Sequence, residues 1–293
     1  PDGTLIASGG VDGRVGVWPL TAAKAGKTFD HGDDVLTVSF SRDGRWVASG
    51  GTDGNIRLWE VQGQRSRLLE GHTDWVRSVA FSPKHDLIAS ASDDETVRLW
   101  SYEDEQQRNQ IDGHSDWVRT VAFSPDGEKV ISAGDDRTIN IFDVNTSEIQ
   151  SLQGHDGLIL SVAASPQGNR LVSAGQDGSL RLWDPEGGEL ARIESDTGSI
   201  QSTAFSSHGD EFLSSRQRLA HAVSARFQFH SEPGDNHAAE HRPGRCLGRG
   251  QVVRHAAVAA RPCISEIPHC LVQCMAPPKR VASLRGADGE DPP

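Results

Sequence analysis

The sequence predicts an all-β chain built from repeated four-stranded antiparallel sheets. Three observations carry that expectation. The first is a spacing that recurs without a slip: His31, Ser49, Asp53 and Trp59 lie 18, 4 and 6 positions apart, and His72, Ser90, Asp94 and Trp100 repeat those intervals. His155, Ser173, Asp177 and Trp183 do so again, and His114, Ser132 and Asp136 follow suit with Phe142 in the Trp place. The second is the period, with Asp-to-Asp intervals of 41, 41, 42 and 41 counted from Asp12. Periods of this length mark repeat architectures, solenoids or propellers, in which each unit buries its apolar faces only against its neighbours. The third is turn chemistry, with Asp-Gly pairs at 43–44, 53–54, 126–127 and 177–178 between short apolar runs. Asp-Gly in that setting signals a hairpin, because Gly accepts the positive φ of a tight turn.

One unit, Glu70 to Trp100, shows the elements in order. VRSVAF follows the Gly-His pair and is short, apolar and β-favouring, with Ser82-Pro83 ending it. LIASAS follows and ends at Asp93-Asp94, and TVRLW closes the unit. A fourth strand follows the Trp place, as at 66–69, 149–152 and 190–193. Each unit is thus expected to be a four-stranded meander, with blades near 1–30, 31–70, 71–112, 113–153 and 154–195 and a partial one at 196–215. The first unit lacks the His and keeps Ser8, Asp12 and Trp18. The extra residue of the 42-residue interval falls in the polar stretch SYEDEQQRNQIDG, which reads as a longer surface loop. Trp46, inside an inner strand, reads as core.

The pattern stops near Ser215, and the composition changes with it. Residues 1–215 carry 18 Lys and Arg against 34 Asp and Glu, whereas residues 216–293 carry 11 against 7. All seven Trp lie in the first part and all four Cys in the second. In the sixth unit Asp196 takes the His place, Arg218 the Asp place and Ser224 the Trp place. The segment 216–293 reads as a separate, largely disordered tail, or as further repeats read out of frame from a GC-rich gene. His237, Glu240 and His241 have the H-x-x-E-H spacing, and Cys246, Cys263, Cys270 and Cys274 with His269 invite a zinc reading. Neither arrangement comes with the helix or the paired knuckles that such sites use, so no metal and no cofactor is expected.

The charge of the first part repels phosphate and argues against a nucleic-acid partner. No apolar run reaches the roughly 18 residues of a membrane-spanning helix, and no charged-then-apolar leader opens the chain, so the expected location is cytoplasmic. The chain begins at Pro1 and its one Met is Met275, so it reads as a fragment of a longer protein.

With Gly-His openings and Trp-Asp or near-Trp-Asp closings, residues 1–215 resemble the WD-repeat family of β-propellers. The resemblance implies an incomplete propeller of about five blades with a His–Ser–Asp–Trp hydrogen-bond network in each. The Asp accepts from the His, whose other nitrogen reaches the Ser hydroxyl, which in turn meets the Trp N–H. Phe142 has no N–H, so Ser132 is expected to lose that link. A His–Ser–Asp trio also suggests a hydrolase triad. Four copies in one chain point instead to a structural staple, and no catalytic residue is assigned.

The family further implies partner contacts three and five residues after the His and just before the Asp. Those places hold Asp34 and Leu36, Trp75 and Arg77, Trp117 and Arg119, and Leu158 and Leu160, with Val11, Thr52, Asp93, Asp135 and Gln176 completing them. Trp and Arg are enriched in binding hot spots. Trp75, Arg77, Trp117 and Arg119 are therefore expected to form a partner-binding ridge, extended by Leu158 and Leu160 and rimmed by Asp93 and Asp135. The implied function is a scaffold that gathers protein partners, covalently part of a larger regulatory or signalling protein. The alternative is a propeller enzyme or sensor with a site in its central channel.

Overall fold

Short β-favouring runs bounded by turn residues form strands throughout. The structure, a computed structural model, describes residues 3–20, 26–195, 198–209, 211–216 and 223–226. Among these residues there are no helices, and so none long and apolar enough to cross a membrane.

The strands form six antiparallel sheets in chain order. Blade 1 has three strands, β1 (Leu5–Gly9), β2 (Arg14–Pro19) and β3 (Lys27–Asp30). Blade 2 is β4 (Val35–Phe40), β5 (Trp46–Gly51), β6 (Ile56–Glu60) and β7 (Ser66–Leu69). Blade 3 is β8 (Val76–Phe81), β9 (Leu87–Ser92), β10 (Thr96–Ser101) and β11 (Gln107–Asp112). Blade 4 is β12 (Val118–Phe123), β13 (Lys129–Gly134), β14 (Thr138–Asp143) and β15 (Ile149–Gln153). Blade 5 is β16 (Ile159–Ala164), β17 (Leu171–Gly175), β18 (Ser179–Trp183) and β19 (Glu189–Glu194). Blade 6 is β20 (Ile200–Phe205), β21 (Glu211–Arg216) and β22 (Val223–Arg226). The array is an incomplete propeller, with four whole blades flanked by two three-stranded sheets.

Two details depart from the sequence reading. Gln107–Asp112, expected within a surface loop, is the outer strand of blade 3; a bulge beside Leu99 and Trp100 takes up the extra residue there. The repeat pattern ends inside β21, yet β22 still pairs with it, Ser214 opposite Val223 and Glu211 opposite Arg226. The rest of the tail, with its His237, Glu240 and His241 motif and its four Cys, lies outside the described residues.

Neither face of one sheet is buried by its own strands, so the core lies between blades. Five clusters of buried side chains occupy the five junctions between successive sheets. Between blades 2 and 3, Trp46, Ile56, Leu58 and Leu69 meet Val76, Val79, Ile88 and Trp100. Trp46 is core, as expected, at 4% exposed.

A second feature repeats in every inner strand from β4 onward and is only faintly marked in the residue types. Register slips by one residue between Val35 and Thr37, Val76 and Ser78, Val118 and Thr120, Ile159 and Ser161, and Ile200 and Ser202. These are β-bulges, which leave one residue unpaired and re-aim its side chain. The unpaired residues are Leu36, Arg77, Arg119, Leu160 and Gln201. Hydroxyls just past the bulges bond to the next blade: Thr37 Oγ1 accepts from Val79 N–H at 3.2 Å, Ser78 Oγ from Val121 N–H at 3.3 Å, and Ser161 Oγ from Thr203 N–H at 3.1 Å.

The second hairpin turn of each blade demands a left-handed residue. Gly13, Gly54 and Gly178 supply it at φ 73, 74 and 76°, but Glu95 and Arg137 occupy the same place at 68 and 65°. A side chain there costs about 1 kcal/mol relative to Gly. Turn composition therefore leaves blades 3 and 4 with a strain that blades 1, 2 and 5 avoid.

Leu58→Ala empties the junction between blades 2 and 3 and is expected to cost about 2–5 kcal/mol, read as a lowered denaturant midpoint. Leu68→Ala, at an exposed outer position, is expected to stay within about 0.5 kcal/mol.

Candidate functional site

Each whole blade has an Asp at the second hairpin turn and a His at the entry to the inner strand, and the strand register brings them together. In blade 3, His72 Nδ1 lies 2.8 Å from Asp94 Oδ2, His72 Nε2 lies 2.7 Å from Ser90 Oγ, and Trp100 Nε1–H donates to that hydroxyl at 2.8 Å. Blade 5 repeats this with His155, Asp177, Ser173 and Trp183 at 2.9, 2.7 and 2.9 Å. Blade 4 joins His114 to Asp136 and to Ser132, both at 2.8 Å. Phe142 takes the indole's place there, and among the described residues the His114 ring is the one side-chain partner of the Ser132 hydroxyl. In blade 2 the ring is turned over. His31 Nδ1 meets Ser49 at 2.8 Å, Nε2 meets Asp53 at 3.3 Å, and Trp59 Nε1–H reaches Ser49 at 2.9 Å. The other oxygen of that carboxylate, Asp53 Oδ2, is taken by the Arg57 guanidinium at 2.5 Å.

The donor order follows from chemistry. A carboxylate only accepts, so the His nitrogen facing it carries the proton. The indole only donates, so the Ser oxygen accepts from it and turns its own proton to the other His nitrogen. The ring is then neutral, and burial favours that state by pushing His31, His72 and His155 below the ordinary value. Burial works against ionisation of Asp177, but the Ser179 N–H and hydroxyl, the His155 ring and the Asp156 N–H together hold it down to about 2. Asp53 is held at about 2 against the same burial by Asn55 and Arg57.

The distances match those of a hydrolase triad, but the surroundings do not. Ser49, Ser90 and Ser173 are 0% exposed, and each hydroxyl already holds an indole N–H. No substrate carbonyl reaches such an oxygen, so the network acts as a staple. Trp100 and Trp183, each packed in the junction with the preceding blade, are 2% exposed, whereas Trp18 of blade 1, with no preceding sheet among the described residues to cover it, is 44% exposed. Among the described residues no group of three or more His, Cys, Asp or Glu is placed to hold a metal ion.

The variable places around the staple converge as well. In each whole blade the residue before the turn Asp is tied to the place three after the His by a backbone bond. Thr52 N–H donates to the Asp34 carbonyl at 3.0 Å, Asp93 to Trp75 at 3.0 Å, Asp135 to Trp117 at 2.9 Å and Gln176 to Leu158 at 2.7 Å. The bulge adds the third member. Arg77 forms a two-pronged pair with Asp93, Nε at 2.8 Å and Nη2 at 2.6 Å. Arg119 grips Asp135 in the same way, at 2.7 and 2.6 Å. That grip, opposed by partial burial, raises the Arg119 pKa.

The Arg77 guanidinium is a rung between two aromatic rings, and that of Arg119 stacks on one. Arg77 lies 4.6 Å from the Trp75 ring centre and 5.6 Å from that of Trp117, and Arg119 lies 5.2 Å from Trp117. Trp75 and Trp117 remain 41% and 42% exposed. The ladder thus spans blades 3 and 4, with Asp93 buried and Asp135 half-buried beneath it. Leu158 and Leu160 occupy the corresponding places of blade 5 and are half-buried.

A search of curated proteins found no match. Five segments, 1–19, 24–60, 63–101, 105–143 and 146–184, match the family model described as WD domain, G-beta repeat. Each complete segment ends at the Trp place, so the segment 63–101 pairs the outer strand of blade 2 with three strands of blade 3.

The network sets two expectations. With the His pKa values lowered, the native state refuses protons that the unfolded chain takes up near pH 6.5, so this stability is present above that pH and lost as pH falls below it; Asp53 and Asp177 add a second loss between about 4 and 2. The melting temperature is therefore expected to fall from pH 7 to pH 5. Trp183→Phe, which copies the arrangement of blade 4 into blade 5, is expected to cost about 0.5–1.5 kcal/mol for the lost bond, measured by urea unfolding.

With the spacing, the sheets and the staple in agreement, and the family model matched over more than half of its length, this chain belongs to the WD domain, G-beta repeat family.

Proposed function

We propose that this chain is an interaction module whose Trp75–Arg77–Trp117–Arg119 ladder binds a protein partner. WD repeats generally mediate protein–protein interaction. The observation that carries the finer reading is the exposure of two Trp rings whose stacked guanidiniums, Arg77 between them and Arg119 beyond, are locked by carboxylates below them. Such rings lose little freedom on binding, and preorganised aromatic anchors dominate interface energies. Leu158 and Leu160 extend the surface, and Asp93 and Asp135 serve it from beneath as positioning groups. The module acts as a non-enzymatic scaffold within a larger regulatory or signalling protein in the cytoplasm, and its acidity disfavours nucleic acid. Burial of every network serine in the whole blades favours this reading over an enzyme or a channel-site sensor.

Trp75→Ala combined with Trp117→Ala is expected to leave the β-sheet circular dichroism and the melting temperature close to wild type, because both rings are surface groups. The same variant is expected to lose at least tenfold in the recovery of protein partners by affinity capture. Equal recovery by the folded variant would remove the ladder from the binding surface.

A further inference from the structure

The ladder stops at blade 2, and it stops with its cation missing. In blade 3 the bulge residue Arg77 covers Trp75 and reaches the Trp117 of the next blade. One step back, the bulge residue is Leu36. The backbone frame of that step is unchanged. The slip between Val35 and Thr37 matches the slip between Val76 and Ser78. The Thr52-to-Asp34 bond, at 3.0 Å, equals the Asp93-to-Trp75 bond. Val79 N–H reaches Thr37 at 3.2 Å, as Val121 N–H reaches Ser78 at 3.3 Å.

What differs is the chemistry on that frame. Thr52 stands where Asp93 and Asp135 stand, and its hydroxyl donates to Asp33 Oδ1 at 2.9 Å. A carboxylate is therefore still held at this turn, and Asp34 adds a second. Neither forms an ion pair among the described residues. Trp75, 41% exposed, is stacked by Arg77 of its own blade, whereas Trp117 is stacked by its own Arg119 and by Arg77 of the preceding blade; among the described residues no guanidinium reaches Trp75 from blade 2, where the bulge residue is Leu36. The blade 3 and blade 4 steps show what this frame holds when complete: a planar cation between an indole and a carboxylate.

Resting on the reading of the ladder as a partner surface, we propose that the step between blades 2 and 3 is a socket for an arginine side chain from a basic segment of the partner protein. The arginine stacks on the open face of Trp75 with its charge against Asp33 and Asp34, its stem over Leu36. It supplies from outside the rung that Arg77 and Arg119 supply from within. Charge complementarity favours this occupant, because the surrounding repeats carry 34 acidic against 18 basic residues up to position 215.

The test is calorimetric titration of the full chain with a tetra-arginine peptide, with tetra-citrulline as the uncharged comparison. Tetra-arginine is expected to bind and tetra-citrulline to bind at least tenfold more weakly. Asp33→Asn with Asp34→Asn is expected to weaken tetra-arginine at least tenfold. Leu36→Arg with Thr52→Asp, which builds the missing rung into the chain, is expected to abolish the same binding. Asp104→Asn with Asp184→Asn, at turns on the opposite end of the strands, is expected to change it less than twofold. Equal weakening by both asparagine pairs would reduce the effect to diffuse acidity and overturn the socket, as would wild-type binding by the Asp33 and Asp34 variant. Should the rung-filling variant fail to fold, the exposed Asp33 and half-buried Asp34 pair decides alone. Partner capture lost in the double Trp variant but kept in the Asp33 and Asp34 variant would overturn the socket while leaving the ladder reading intact.

Discussion

The turn aspartate is the group on which each whole blade depends. In blade 3, Asp94 accepts from the His72 ring, from the Thr73 N–H at 3.1 Å, and from the Thr96 N–H and hydroxyl at 3.0 and 2.7 Å. Thr73 belongs to the chain arriving from the outer strand of blade 2, and Thr96 opens the third strand of blade 3. One carboxylate thus fastens the connection between blades to the hairpin inside a blade. Removing it would leave a His, two N–H groups and a hydroxyl without their acceptor in a low-dielectric place, where unmade bonds cost most. Its depressed pKa, reached despite burial, expresses the same saturation with donors.

That fixed frame explains why chemical variety is displaced to its edges. Inside the staple every atom is committed: the indole to the hydroxyl, the hydroxyl to the imidazole, the imidazole to the carboxylate. The bulge is what releases a position. An inner strand in regular pairing would direct its residues alternately into the two blade junctions. The slip turns one residue per strand out toward the turn, and there the chain places Leu36, Arg77, Arg119, Leu160 and Gln201. Identical backbone therefore presents different chemistry at each step.

Much of this was legible in the sequence for one reason: the staple requires particular residue types at fixed separations, so its spacing survives in every copy. The strands followed from short apolar runs and Asp-Gly turns. The bulge left a fainter mark. In VRSVAF the buried residues are Val76 and Val79, three apart, where strict alternation would place them two or four apart. The same odd interval occurs at Val118 and Val121 and at Ile159 and Val162. Glu95 and Arg137 in left-handed turns had no such mark, because neither side chain prefers that conformation. The overturned His31 ring was equally hidden, since its residue types and spacing are those of the other blades. The outer strand Gln107–Asp112 was obscured by its polarity, because an outer strand needs only one apolar contact, here Ile111.

The electrostatics of the ladder face run opposite to its residue list. Two arginines beside two tryptophans suggest a cationic surface, yet both guanidiniums are neutralised in place by two-pronged pairs with carboxylates that solvent scarcely reaches. What remains uncompensated is acidic. Asp74 and Asp116 accept from the backbone N–H groups of Trp75 and Trp117 at 2.8 Å and keep their charge toward solvent. Asp33 and Asp34 form no ion pair among the described residues. Desolvating Arg77 and Arg119 would be costly if they were recruited to a partner's acid, because each would first have to leave Asp93 or Asp135 uncompensated. The arginines therefore act as rigid spacers that fix the tryptophans. The sign of the charge that the face attracts is set by the aspartates around them.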